Sequence, residues 1–569
     1  MKKIYMLLFA ATLLLGSACS RLDLNPLSEG SSENWYSTEV EVQLAVNDLF
    51  REAFWAKDKD LWSDDLSFRG EISATEDLAP MLASTLNAEN ATIKTLWANN
   101  YKTISRAIKV IENLDKVSGK VSQPNLIRFE ANARFVRAAM YSRLIQHWGD
   151  VPFYLNSINL EEAYQTPKTS KAEILKAIYA DFDYAATHLP LRYTATENAY
   201  ATKGAALALK ARIALYMGDY ATAKKASQDC IELKVYTLNA DFRSQFLSSV
   251  KNTSETVFAL PRSVELGKYE AETKYYIPRN SGGFGSRNPD YGLFSSFLCA
   301  DGLPIDKSPL YNPKKPFENR DPRFKETFVE LGTRWLNITF QPHPDTLNVM
   351  NYKSGIMIKN NDNRANNVNA PFNGLMMKKG IDEDYSDDFM ASPDLVIVRY
   401  ADVLLMYAEA KIELGELDQS VVDAMNTIRA RAYKVAPTNI AAYPSITLGS
   451  QAKMRSTLRF ERRMELAFEG LRYMDIIRWK LAEKVLNTPI YGMLDVAELR
   501  TKVVRTGLWF FPGIPQIDEN ALPDFSAIAA SGLLKQYGLR RFDPAKNYLW
   551  PIPASEILVN KNIVQNPNY

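Results

Sequence analysis

From residue 39 onward, apolar side chains recur at helical spacing. In 39–54, Val42, Ala45, Val46, Leu49 and Ala53 fall on one face, the pattern of a helix with one buried side. Further amphipathic stretches are predicted at 93–116, 126–147, 171–189, 203–216, 220–233, 400–414, 419–432 and 454–485. A repeat signal lies inside them: Trp148-Gly149-Asp150, Gly218-Asp219-Tyr220 and Gly415-Glu416-Leu417. Gly149 and Gly218 are 69 residues apart, close to two tetratricopeptide hairpins of about 34 residues each. With Gly218 as the turn, Ala211 and Ala223 fall where two helices touch most closely, and Cys230 takes another small-residue position. The expectation is a mainly α fold on a tetratricopeptide-like helical hairpin scaffold.

Between the second and third glycine turns the periodicity stops. Residues 234–398 are rich in Pro, Gly, Asn and aromatics, as in Tyr275-Tyr276-Ile277-Pro278 and Asn280-Ser281-Gly282-Gly283-Phe284-Gly285. A long irregular segment on a regular frame is commonly functional or disordered, and this many rings argue against disorder. The expected organisation is a leader at 1–18, an N-terminal helical region at 19–233, a loop-rich ligand-binding insertion at 234–398 and a C-terminal region at 399–569 that completes the scaffold. Residues 503–544 read as a second, smaller loop-rich insertion.

The leader has Lys2 and Lys3 followed by an apolar run at 4–15, too short to span a bilayer as a helix but suited to a signal peptide. Gly16-Ser17-Ala18-Cys19 then places small residues before a cysteine, as in a bacterial lipobox, although Leu15 is one place too far from it. The expectation is lipidation at Cys19, with the protein anchored to a membrane through acyl chains that contribute about 0.8 kcal/mol per buried CH₂. Of the other two cysteines, Cys230 reads as a buried free thiol more readily than as the partner of Cys299. Lysine plus arginine number 68 against 66 acids. Removing Lys2 and Lys3 leaves a neutral body, with no electrostatic reason to bind nucleic acid.

Catalytic signatures are scarce. The three histidines, His147, His188 and His343, are far apart in the chain. His147 sits beside a helix end, where a structural role is expected. There is no zinc helix, nucleophile elbow, phosphate loop or dinucleotide fingerprint, so no cofactor and no metal are expected. Glycoside hydrolysis needs only two suitably spaced carboxylates, and sequence alone leaves that open. Asp382-Glu383-Asp384 with Asp387-Asp388 would suit calcium only with the alternating spacing it lacks, so a solvated loop is expected. Gly282-Gly283-Phe284-Gly285 reads as a flexible turn. Aromatics offer the more promising chemistry, because a sugar's C–H face packs on a ring while its hydroxyls need polar partners. The candidates are Trp62, Phe68, Tyr275, Tyr276, Phe284, Tyr291, Trp335 and Tyr352, with Arg69 and Asp77 as polar partners. Trp97 and Trp479, within strong helical patterns, are assigned to the core, and Trp35-Tyr36 also reads as structural.

The C-terminal third carries a specific resemblance. Residues 459–480, beginning Arg459-Phe460-Glu461-Arg462-Arg463-Met464-Glu465, resemble the signature helix pair of the SusD/RagB family. Residues 399–410 resemble its preceding repeat helix. Asn547-Tyr548-Leu549-Trp550-Pro551-Ile552-Pro553 with 565–569 resembles its ending, and Leu22-Asp23-Leu24-Asn25-Pro26 its beginning. The Arg/Glu-dense helix should form a packed ion-pair network. The resemblance implies a Bacteroidota outer-membrane lipoprotein, not an enzyme, that captures oligosaccharides and delivers them to a SusC-like TonB-dependent transporter, or in some members captures peptides. The family's aromatic platform follows no fixed motif, so the resemblance assigns no individual ligand residue. Ser20-Arg21-Leu22-Asp23 lacks the acidic run that often follows the lipid cysteine, so exposure on the cell exterior rests on the family alone.

Overall fold

The computed structural model describes residues 35–68, 84–194, 199–383, 385 and 389–569. Cys19, Arg69 and Asp77 lie outside the described residues. Ten helices carry the frame: α1 (Glu39–Asp48), α2 (Ala91–Asn113), α3 (Gln123–Trp148), α4 (Lys171–His188), α5 (Lys203–Met217), α6 (Tyr220–Glu232), α7 (Tyr400–Glu413), α8 (Gln419–Ala432), α9 (Gln451–Leu466) and α10 (Arg472–Arg478). From α2 to α8 each helix packs on the next, and α9 also packs on α7. The array is thus a row of helix hairpins.

The Gly-Asp-Tyr turn shows how sequence makes one hairpin. Gly218 ends α5 at φ +80°, a left-handed conformation that costs glycine little. Asp219 starts α6 by accepting the Thr222 amide at 3.1 Å. Ala211, Ala223 and Cys230 are fully buried where these helices meet. Cys230 and Cys299 are both buried and unpaired. Gly204, on α5, has no room for a side chain, since a Cβ would lie 2.2 Å from the Tyr236 hydroxyl.

After α6 the chain leaves the array for more than 160 residues and returns at α7, which packs back on α6. The short strands involved are β1 (Leu66–Phe68), β2 (Thr256–Leu260), β3 (Arg287–Pro289), β4 (Thr333–Trp335), β5 (Ile338–Phe340), β6 (Asn348–Asn351), β7 (Ile356–Lys359) and β8 (Leu395–Arg399). β2 and β8 pair antiparallel across the base of the excursion. β4 to β7 form a four-stranded sheet within it, and β1 pairs antiparallel with β3.

The stretch at 454–485, read as one helical pattern, is broken into α9 and α10. Phe468 and Gly470 adopt φ +62° and +73°, and a Cβ on Gly470 would sit 2.4 Å from the Asp58 carbonyl. Close approach of another segment, invisible in local periodicity, sets this break.

The charged face of α9 is buried. Glu465, fully enclosed, accepts from Arg399 at 2.7 Å, from Arg323 at 3.0 Å and from Arg431. Glu461 binds Arg323 at 2.8 Å and Arg429 at 2.7 Å. Arg462 joins Asp402 and Asp475, each at 2.7 Å, and Arg463 reaches Asp64 at 2.7 Å. The partners come from α7, α8, α10 and the loops, so the network ties scaffold to insertion. Arg459 bonds Asn520 and stacks over Trp479. Trp479 is half-buried and donates to Glu409 at 2.6 Å. Trp97 is in the core.

The C-terminal motif closes the other end of the array. Trp550 is buried, donates to the Tyr473 hydroxyl at 3.0 Å and packs against Trp148, Trp62 and His147. His147 is buried between Asp58 (3.0 Å) and the Arg143 carbonyl (3.0 Å), a structural position.

Candidate ligand-binding cleft

The insertion and the segment after α1 enclose an open cleft of about 650 Å³, within the range of small-ligand sites. Lys57, Asp60 and Leu66 contribute from the N-terminal side, Glu272 and Tyr276 from the insertion, and Lys379 from its later part. Beside Glu272 and Tyr276, the rings of Tyr275 and Phe284 lie 5.5 Å apart at 52°, with 36% and 44% of their surfaces exposed.

Backbone hydrogen bonds fix this ring pair. The Phe284 amide donates to the Lys274 carbonyl at 2.7 Å, Gly285 to Ile277 at 3.0 Å and Gly283 to Pro278 at 3.0 Å. A Cβ on Gly283 would lie 2.5 Å from the Ile277 carbonyl oxygen, so only glycine lets the turn fold this tightly. The turn expected to be flexible is therefore hydrogen-bonded throughout. The Arg287 guanidinium sits 4.2 Å from the Tyr275 ring centroid, in cation–π geometry. It also donates to Glu272 at 2.7 Å and to the Tyr276 hydroxyl at 3.1 Å. Phe68 faces Arg287 across the β1–β3 ladder. Phe68, Tyr275 and Tyr276 are thus gathered around one arginine, with Phe284 packed on the Tyr275 ring.

Three other candidates are corrected. Trp62 is packed edge-on against Tyr473 and Trp550, and Tyr291 lies against Phe511, its hydroxyl donating to the Asn373 carbonyl at 2.9 Å. Trp335 sits in a small core with Phe340 and Ile381. Their exposures are 2%, 2% and 4%, which leaves no ring face for a sugar. Tyr352 is exposed on the β4–β7 sheet beneath Arg334, away from the ring pair's contacts. In the acidic run, Asp382 is buried and accepts the Ser248 amide, contrary to a solvated loop, and Glu383 pairs with Arg243 at 3.4 Å. Asp384, Asp387 and Asp388 lie outside the described residues.

Sequence reasoning missed the polar floor of the cleft. Asp60 accepts the Gly470 amide at 3.1 Å and has no cation within ion-pair distance among the described residues. Burial, with Asp65 adding repulsion, raises its pKa to about 7. Lys57 donates to the Val396 carbonyl at 3.3 Å, and burial lowers its pKa. Lys379 donates to Glu469 at 2.6 Å. Burial pulls its pKa down to about 8. The available signal was the density of charge in Lys57-Asp58-Lys59-Asp60 and, after Leu61-Trp62-Ser63, in Asp64-Asp65.

Among the described residues, no helix is long and apolar enough to cross a membrane. The sequence profile of the SusD family matches residues 254–569. A second profile, described as starch-binding associating with outer membrane, matches 33–215. SusD-like protein P2 of Formosa agariphila is 25% identical, with all of both chains aligned. A crystal structure of a SusD-like carbohydrate-binding protein from Bacteroides fragilis superposes with a TM-score of 0.75 at 28% identity, covering 93% of this chain and 99% of that one. A laminarin-binding SusD-like protein, 18% identical, shares the fold at a TM-score of 0.65, covering 94% and 100%. The hairpin array, the interposed loops and a profile match over more than half of the chain lead to one assignment: this chain belongs to the SusD family.

Proposed function

We propose that this protein is a surface glycan-binding lipoprotein, anchored in the outer membrane through Cys19 and facing the cell exterior. It captures an oligosaccharide and delivers it to a SusC-like TonB-dependent transporter without cleaving it. The observation that carries the reading is the exposed Tyr275–Phe284 pair, backbone-pinned beside a polar cleft. Two ring faces and nearby hydroxyl-bonding groups are the complement of a pyranose. The carbohydrate-binding descriptions of similar structures point the same way. Capture without hydrolysis is supported by the acids of the cleft. A glycosidase needs two available carboxylates, whereas Glu52, Glu270 and Glu272 are each held by cations and Asp58 by His147, leaving Asp60 alone among the described lining residues.

The test is calorimetric titration of the protein beginning after Ser20 against plant, host and microbial polysaccharides and a peptide digest. The expected result is binding to a polysaccharide, lost in Tyr275→Ala and Phe284→Ala, with no reducing sugar released. Binding to peptides alone would overturn the glycan reading, and released sugar would overturn the non-enzymatic one.

A further inference from the structure

The charges of the cleft say what kind of glycan fits it, an inference that rests on the glycan-capture reading above. Among the described residues, five cations and five carboxylates line the cleft, and the cations differ sharply in availability. Arg262 is clamped between Glu52 at 3.0 Å and Glu270 at 2.8 Å. Lys59 is held by Glu272 at 3.0 Å. The same Glu272 holds Arg287, whose guanidinium is additionally covered by the Tyr275 ring. Lys379 is closed off by Glu469 and by the Glu465 carbonyl at 2.9 Å. Lys57 is turned to a backbone carbonyl, and Lys268 is exposed at the rim, where salt screens it.

At Arg262, Lys59 and Lys379 an incoming carboxylate or sulfate would have to displace a protein carboxylate that already neutralises the cation, leaving that acid unpaired in a partly desolvated site; only Lys57, turned to a carbonyl, and the screened Lys268 have no carboxylate partner among the described residues. Asp60, with no cation within ion-pair distance among the described residues, would repel it further once ionised. The same groups suit hydroxyls. A carboxylate with one backbone donor has oxygen lone pairs left to accept from vicinal diols, and a paired lysine or arginine keeps further N–H groups to donate.

We propose that the cleft selects uncharged glycans and rejects uronate-, sulfate- or phosphate-bearing ones. The rejection is built from internal ion pairs and not from an excess of negative charge, so it acts at short range and resists salt.

The test compares chemically matched ligands on the full mature chain: each neutral polysaccharide that binds, beside its carboxymethylated or sulfated derivative, and natural polyuronates beside neutral galactans and mannans. The expected result is affinity at least about tenfold weaker for the charged derivative, and neutral-ligand affinity that changes by less than about twofold between roughly 0.02 and 0.5 M salt. Glu272→Gln, which releases Lys59 and Arg287, should narrow the charged-versus-neutral gap; circular dichroism of that variant checks that the fold is retained. A polyuronate or sulfated glycan that binds more tightly than neutral glycans, and is released by salt, would overturn the inference while leaving glycan capture standing. Binding to peptides alone would overturn the capture reading itself.

Discussion

Glu465→Gln should be among the most damaging single changes to this fold that create no cavity. The substitution keeps shape and removes one charge from a carboxylate enclosed by three guanidiniums, of Arg399, Arg323 and Arg431. Those cations retain other acids: Glu255 and Glu469 for Arg399, Asp321 and Glu461 for Arg323, Glu255 for Arg431. The variant is therefore not left with three orphans, but the cluster gains one uncompensated positive charge in a fully buried setting. Breaking one partner of a buried ionic group costs about 3–5 kcal/mol. For a chain of 569 residues, an unfolding entropy of about 2 cal/mol/K per residue gives about 1 kcal/mol per degree at the midpoint. The expected loss is thus about 3–5 °C in the Tm read by differential scanning calorimetry. The pH arm has a definite sign. The surrounding guanidiniums hold the Glu465 carboxyl well below the usual range and its neighbour Glu469 down to about 2. Both contribute stability that is fully present above about pH 5 and is lost as pH falls toward those lowered values. The wild-type–variant gap should shrink below about pH 4. A Tm within 1 °C of wild type at pH 7, a threshold taken from the same conversion, or a gap that widens in acid, would refute this account of α9.

Other expectations are as direct. Gly204→Ala should destabilise by about 1–3 kcal/mol, read by denaturant midpoint, because Tyr236 must move from its 2.2 Å overlap. Truncating the ring in Gly204→Ala/Tyr236→Ala should recover part of that loss. Asp60, raised to about 7 by burial, should contribute stability that declines as pH rises from about 4 to 7, and ligand affinity should rise over about pH 6–8 as it becomes a stronger acceptor. Asp60→Asn should flatten both profiles. The Cys230 thiol, pushed up to about 12 by burial, should resist iodoacetamide in the native protein and react once urea exposes it.

Much of the scaffold was legible in the sequence because its signals are local. Gly218 and Asp219 act within a few residues of themselves, and α8 runs 419–432 as its apolar spacing predicts. The break at Gly470 was not legible, because its cause is a carbonyl more than 400 positions earlier. The site divided along the same line. Tyr275 and Phe284 were picked from a short segment rich in rings and glycine, and both keep part of their surface exposed. Trp62, Tyr291 and Trp335 are rings of the same kind, but partners distant in the chain bury them: Trp550, Phe511, and a core containing Ile277 and Met376. Asp60 and Glu272 became part of one cleft only when segments some 200 residues apart met. Ring chemistry can be read from a sequence, but which face meets solvent is set by the rest of the chain.

The β2–β8 ladder brings the two ends of the excursion to adjoining points on an array that is continuous without it. Closing a longer or shorter loop over such a clasp changes the free energy only logarithmically with length. Recognition loops above the clasp can therefore lengthen or shorten at little cost, and the clasp offers a seam for transplanting a foreign specificity, provided that the incoming segment keeps Arg323 and Lys379 to neutralise Glu461, Glu465 and Glu469.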